Sequence, residues 1–262
     1  MTANEILTEH YNKFNEDKRL KSRHGQVEFR VSMRYIHEYL EKIGPDAKIL
    51  DVGAGTGAYS IPLADEGYEV HALELVKHNV QRLRANSDRV HALQGNALKL
   101  TRKFEKDYFD LVLVFGPMYH LFTHEDKKKV LSEAALVLKK GGIMMVAYCM
   151  NDYAIVKHGF MEGSIKESVI NKKVDINYNV MLTKDDIYDY VTIDEINRLA
   201  DESGLTRDRI FTPDGPANYI RNSLRDMDEE SFEMFVGYVE TIAERSDMLG
   251  AAAHTVDVLI KN

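Results

Sequence analysis

The sequence predicts an α/β fold: a mostly parallel sheet with helices on both faces and a ligand crevice at the carboxyl ends of its strands. Three observations predict it. Residues 48–60 read KILDVGAGTGAYS. Ile49, Leu50 and Val52 form a short apolar run of the kind buried on both faces of a parallel sheet. Gly53, Gly55 and Gly57 follow at alternate positions, where a side chain would block a tight turn and hold a ligand off the backbone. Next, residues 68–73 alternate and end in Glu74, which puts a carboxylate at the tip of a second strand. Finally, residues 109–115 read FDLVLVF, an uninterrupted strand that stops at Gly116-Pro117. A strand, a glycine turn, a helix through Tyr59, Ser60, Leu63 and Ala64, and a second strand together make half of a nucleotide-binding βαβ unit.

The chain of 262 residues is long enough for one large domain, or one domain with a cap. Its 44% hydrophobic and 29% charged residues are ordinary for a globular protein. A formal net charge of −8 argues against duplex DNA or long RNA as a partner, because nucleic-acid binders show a basic face. The single Cys149 excludes an internal disulfide and a cysteine-built zinc site, and fits a reducing compartment. The first residues lack an apolar signal region and no stretch has the length of a membrane span, so a cytoplasmic protein is expected.

In chain order, residues 1–45 carry two helical patterns, the first with Ile6, Leu7, Tyr11 and Phe14, the second with Val27, Val31, Arg34, Tyr35 and Leu40, stopped by Gly44-Pro45. They fold over the ligand as a lid or merely cover a sheet edge, and the sequence leaves both open. Tyr11, Arg19, Arg23, His24 and Phe29 are the residues that would face a ligand. A charged helix is expected over 76–86 and a third strand over 90–94, ending in Gly95-Asn96-Ala97. Asn96 at that strand end has the amide to pair with a purine amino group, though Asn is also a common loop residue. Beyond the fourth strand, Tyr119 and His120 project into the same crevice as the glycine turn, the polar groups best placed for chemistry. A helix over 127–139, capped by Gly141-Gly142, leads to a fifth strand over 143–148. Residues 151–190 lose the pattern and read as an inserted cap. Thr192 caps a helix that Gly204 stops, with Glu195 three residues after the cap. A sixth strand over 209–211, a proline loop over 212–218, a helix over 229–245 and a strand over 254–260 complete the chain.

Gly53-x-Gly55-x-x-Ala58 also satisfies a dinucleotide fingerprint. Asp51 tilts the reading away from NAD: a carboxylate before the turn repels a pyrophosphate and favours a cationic ligand. The third glycine falls at Gly57, and no second domain follows to hold a nicotinamide. Asp51-Val52-Gly53-Ala54-Gly55-Thr56-Gly57 resembles the first motif of class I S-adenosylmethionine-dependent methyltransferases, and the stretch from Leu113 to Leu121 resembles their small-molecule subgroup. The resemblance is good over about residues 25–150 and loose beyond.

That resemblance implies a Rossmann-like seven-stranded sheet of order 3-2-1-4-5-7-6 with the last strand antiparallel. It divides a single methyltransferase domain, 1–262, into an N-terminal helical lid (1–45), a cofactor-binding core (46–150), a cap insertion (151–190) and the rest of the core (191–262). It places Gly53, Ala54, Gly55 and Gly57 beside the methionine part of S-adenosylmethionine and Asp51 near its amino group. Glu74 would hold the ribose hydroxyls, Leu75 would lie beside the adenine, and Asn96-Ala97 would meet the adenine amine. Asn96 departs mildly from the Asp of many members. Phe115-Gly116 would line the path to the methyl group. Tyr119 and His120 are then the candidates to orient or deprotonate a small-molecule acceptor, with Tyr11, Arg23, His24 and His254 as weaker substrate or lid residues. The product cofactor is S-adenosylhomocysteine. The scattered histidines show no metal-ligand spacing. The alternatives are a cofactor-binding module without transfer activity, an NAD-dependent oxidoreductase, and a macromolecular acceptor. The acceptor atom and the oligomeric state are not written in the sequence.

Overall fold

The computed structural model describes residues 20–183 and 186–262. Tyr11, Arg19 and the first helical pattern lie outside the described residues. Seven strands form one sheet in the order β3-β2-β1-β4-β5-β7-β6. They are β1 (Lys48–Val52), β2 (Glu69–Glu74), β3 (His91–Gln94), β4 (Phe109–Val114), β5 (Leu138–Cys149), β6 (Thr206–Phe211) and β7 (His254–Ile260). β1 through β5 pair in parallel, and β7 runs antiparallel between β5 and β6. The fold class, strand order and antiparallel final strand expected from the sequence are all borne out.

Alternate strand residues feed two apolar layers, as the strand period requires. Ile49, Val70, Leu111, Leu113 and Met145 face one layer, where α1 (Arg23–Ile43) and α9 (Glu229–Ile242) bring Val31, Ile36, Val236 and Val239. Leu50, Val52, Val112, Val114 and Met144 face the other, against Val130, Leu131 and Val137 of α4 (His124–Val137) and Ile196 and Leu199 of α7 (Ile193–Ser203). Each fully buried Leu, Ile or Val contributes roughly 1.5–3 kcal/mol by leaving water. The remaining helices are α2 (Ser60–Asp65), α3 (Lys77–Asn86), α5 (Asn151–Ala154), α6 (Ile165–Ile170) and α8 (Arg221–Asp226).

The second helical pattern is α1, stopped at Gly44. Thr192 caps α7 by accepting from the Glu195 amide, and Gly204 ends it in the left-handed region at φ 72°. The helix expected over 127–139 differs from the observed α4 at both ends. Thr123 accepts from the Asp126 amide and starts the helix early, and α4 stops at Val137. Gly141-Gly142 is therefore no helix cap. The pair lies inside β5, where the register against β4 shifts and the Gly141 amide donates to the Lys261 carbonyl, so it forms an irregularity in the strand. β6 begins earlier than expected, at Thr206, and Phe115 lies just past the end of β4. The 151–190 stretch contains α5, a π-helical turn (Ile155–Met161), α6 and a small bridge between Val174 and Val180.

Candidate active site

The carboxyl ends of β1, β2, β3 and β4 open into a cavity of about 740 Å³. The turn after β1 and the turn after β4 touch. A Cβ on Gly53 would lie 2.7 Å from Pro117 Cδ, and one on Gly116 would lie 2.8 Å from the Gly53 carbonyl oxygen. Gly53 also sits at φ 78°, which L side chains avoid. These glycines strip side chains from the cavity floor, so a ligand meets backbone there.

Two acids flank this floor. Asp51 is fully buried at the second-last position of β1 and accepts a 2.5 Å hydrogen bond from the Ser60 hydroxyl. Burial pushes its pKa up to about 6, opposed by the Ser60 hydrogen bonds and aided by the Glu74 charge. Glu74 ends β2. Its Oε2 accepts from the Gly55 amide at 3.0 Å and its Oε1 from the Val76 amide at 2.7 Å. Burial raises its pKa as well, while those amides and Asn79 pull it back. Each carboxylate oxygen retains lone-pair capacity for a further donor. The glycine turn and the acid at the tip of β2 are thus one hydrogen-bonded unit.

Asn96 accepts from the Leu98 amide at 2.9 Å and caps the kinked 3-10 stretch Ala97–Arg102, the ordinary use of a loop asparagine. It lines the cavity together with Leu75 and Ala97. Phe115 packs edge-on against Tyr59 at 5.1 Å between centroids, and Phe29 of α1 lies against Tyr59 at 5.5 Å. The first turns of α1 line the cavity with His24, Gln26 and Phe29, and the rest of the helix packs on the sheet. Arg23, placed among the ligand-facing residues by sequence, is not part of the cavity wall. Its guanidinium lies over the Phe232 ring and pairs with Glu229.

Tyr119 and His120 occupy a single helical turn (Pro117–His120) at the cavity wall. His120 Nδ1 donates to the Ile187 carbonyl at 2.7 Å, and the Asp189 amide donates to the Tyr119 carbonyl at 2.7 Å. These bonds clamp the turn to the end of the inserted segment. Buried Lys127 completes the clamp, pairing with Asp189 at 2.5 Å and Glu195 at 2.7 Å. Tyr153, Tyr188 and Tyr190 of the insertion face the same space.

His254 starts β7 and lines the cavity. Its Nδ1 donates to Asp214 Oδ2 at 2.8 Å and lies 3.7 Å from Glu28 Oε2. Burial alone would lower its pKa, but the charges of Glu28 and Asp214 hold it well above the ordinary histidine value. Asp214 is fully buried and also accepts from Asn218 Nδ2 at 2.7 Å and from the Thr212 hydroxyl at 3.1 Å. Asn218 Oδ1 in turn accepts from Arg221 Nε at 3.0 Å, and Arg221 Nη2 reaches the Tyr153 hydroxyl at 3.3 Å. Glu28, Asp214 and His254 bring ligand-capable atoms within 4.8 Å of one another, a grouping that could hold a metal ion. Sequence spacing does not reveal it because the three come from α1, the 212–220 loop and β7. Asn218, Arg221 and the tyrosines of the insertion were likewise missed. The only sequence signal for Asp214 and Asn218 was a proline-glycine loop, which tells of a turn and not of its direction.

An open α/β sheet whose strand tips carry a glycine turn and an acid hydrogen-bonded to it has the Rossmann-like architecture. Within it, residues 49–142 match the family model described as a methyltransferase domain. A glycine/sarcosine N-methyltransferase of Aphanothece halophytica is 30% identical over 104 residues, 38% of this chain and 39% of that protein. A glycine/sarcosine N-methyltransferase of Parasynechococcus marenigrum is 32% identical over 102 residues, 37% of this chain and 36% of that protein. The matched region thus spans less than two fifths of the length of each of these two relatives. A solved S-adenosylmethionine-dependent methyltransferase of Thermotoga maritima shares the fold at a TM-score of 0.58 and 15% identity, covering 99% of this chain and all of that one. The resemblance to class I methyltransferases stands over the stretch that builds the cavity floor, and the residues there fit S-adenosylmethionine. The side-chain-free cradle admits a ligand against the backbone, and two buried acids suit a cationic nucleoside.

Proposed function

We propose that this chain is an S-adenosylmethionine-dependent methyltransferase, a single domain acting on a small-molecule nucleophile in the cytoplasm. The observation that carries the reading is the convergence of the glycine cradle, Asp51 and Glu74 on the floor of one cavity whose other end is walled by aromatic and hydrogen-bonding side chains. Asp51 would receive the amino group of the methionine part. Glu74 would accept from the ribose hydroxyls, and Leu75, Asn96 and Ala97 would border the adenine. Gly53, Ala54, Gly55, Gly57, Phe115 and Gly116 would lie along the methionine and the path to the methyl group.

Bound S-adenosylmethionine supplies a methyl group already activated on a positive sulfur. The chain's own task is to hold the nucleophile in line with it and to exclude water, so positioning contributes most. Phe29, Tyr59 and Phe115 pack against one another in the cavity wall, an apolar cover that would keep water from the methyl group. His120, with Nδ1–H given to the Ile187 carbonyl, keeps its basic lone pair on Nε2. There it can take the proton an acceptor loses, while Tyr119 orients that acceptor. His254 cannot serve as a base while its proton is held by two carboxylates. The two curated relatives methylate glycine and sarcosine by name, which makes the nitrogen of a small amine the first acceptor atom to assay.

Calorimetry with S-adenosylmethionine and S-adenosylhomocysteine tests the reading, and no binding of either at millimolar concentration ends it. Glu74→Ala removes a charged acceptor and is expected to weaken cofactor binding by about 30-fold or more, since hydrogen bonds to a charged group contribute about 1.5–3 kcal/mol each. An unchanged affinity refutes the ribose assignment.

A further inference from the structure

In the part of the cavity wall built by β7 and the 212–220 loop, one buried acid anchors His254 directly and Arg221 through Asn218. Asp214 accepts from His254 Nδ1 and from Asn218 Nδ2, and Asn218 passes the polarity on by accepting from Arg221 Nε. The order of donors and acceptors along this chain is fixed: the Asn218 amide nitrogen must face Asp214 and its oxygen must face Arg221. Asp214 and Glu28 are buried behind the wall, whereas His254 and Arg221 line the cavity. The wall is therefore a dipole with its positive side toward the ligand. Arg221 makes no ion pair among the described residues, and its partners Asn218 and Tyr153 are both neutral. With Nδ1 engaged by the carboxylates, His254 has Nε2 as its remaining ring nitrogen.

We propose that His254 and Arg221 form an oxyanion subsite that binds a carboxylate on the methyl acceptor. The proposal deepens the methyl-transfer reading and rests on it for the identity of the occupant. A guanidinium with Nε and Nη2 already fixed holds its Nη1 donors in place for a carboxylate oxygen, and His254, anchored at Nδ1 to the same acid network, lines the same cavity. The anchored acceptor would have its nucleophile directed toward the glycine cradle, with the tyrosines of the insertion around its body. The main competitor is the carboxylate of the cofactor's own methionine part.

The test titrates protein saturated with S-adenosylhomocysteine with two matched pairs, acetate against acetamide and benzoate against benzamide. At least one carboxylate is expected to bind about tenfold or more tightly than its amide. Arg221→Gln and His254→Asn are each expected to lose that preference about tenfold while S-adenosylhomocysteine affinity stays within about twofold, and Arg221→Lys should restore part of it. Arg221 is exposed, so its variants are expected to fold. Equal binding of carboxylate and amide overturns the proposal. So does a fall in S-adenosylhomocysteine affinity on Arg221→Gln with carboxylate preference kept, which would assign the pair to the cofactor. Zinc binding by the wild type that is lost in His254→Asn would make the cluster a metal centre and also overturn it. If S-adenosylhomocysteine does not bind at all, the methyl-transfer reading fails; the same titration of the ligand-free protein still reads the subsite separately.

Discussion

The two ends of the cavity are built by different means. The cofactor end is mostly backbone: strand tips, a glycine turn and two acids, drawn from residues close together between β1 and β4. The proposed acceptor end is side chains from α1, the insertion, the 212–220 loop and β7, brought together across long stretches of sequence. A backbone-built end suits a ligand that does not change, because it leaves few side chains to vary. A side-chain-built end can be altered one residue at a time, which suits a substrate that differs between relatives.

If the two ends are separable, damage to one should spare the other. The largest effect is expected from Lys127→Met, which leaves Asp189 buried without its cation. Breaking such a pair costs about 3–5 kcal/mol. Urea denaturation should show that loss, while the affinity for S-adenosylhomocysteine at a temperature where the variant is folded should change less than about threefold. A large fall in cofactor affinity would show that the clamp on Tyr119 and His120 supports both ends. Gly53→Ala does the reverse. Its Cβ would press on Pro117 at a backbone angle that disfavours L residues, for an expected cost of about 1–3 kcal/mol in stability and a clear loss of cofactor affinity by calorimetry.

The pH response sharpens the comparison further. Asp51 has a folded pKa of about 6, raised by burial above the ordinary carboxylate value. The folded ligand-free protein therefore binds more protons than the unfolded chain between about pH 4 and 6. The stability that Asp51 contributes is present below pH 4 and lost as pH rises through 6. The ammonium of the amino-acid part needs the ionised form, so S-adenosylhomocysteine affinity should rise, by up to about tenfold, between pH 5 and 7. Melting curves with and without the ligand at both pH values read the two signs, and Asp51→Asn should flatten both. Smallest is Thr192→Ala, the loss of a helix cap at about 1 kcal/mol. It should lower the melting temperature by a few degrees and leave both ends of the cavity unchanged.

The contrast also explains what could be read in advance. Ile49, Leu50, Val52 and the FDLVLV run announce central strands because burial on both faces leaves few polar positions. Asp51, Glu74 and the glycines were legible because strand tips in a parallel sheet share one edge, so sequence position fixes place. Gly141-Gly142 misled because glycine serves helix caps and strand irregularities alike, and only pairing with Lys261 decides between them. Arg23 misled because a helix has several faces, and the stretch before α1 set no phase. Asp214, Asn218 and Arg221 were invisible as a site, since a loop's direction depends on what it packs against. Glu28 was hidden among the polar positions of α1.

β7 enters the sheet between β5 and β6, with His254 as its first residue. During synthesis, β1 through β6 all leave the ribosome before it. Until residues 254–260 arrive, β5 and β6 have no common neighbour, Asp214 and Glu28 have no imidazole to share, and that wall of the cavity does not exist. The nascent chain can thus assemble the glycine floor well before it completes the cavity above it.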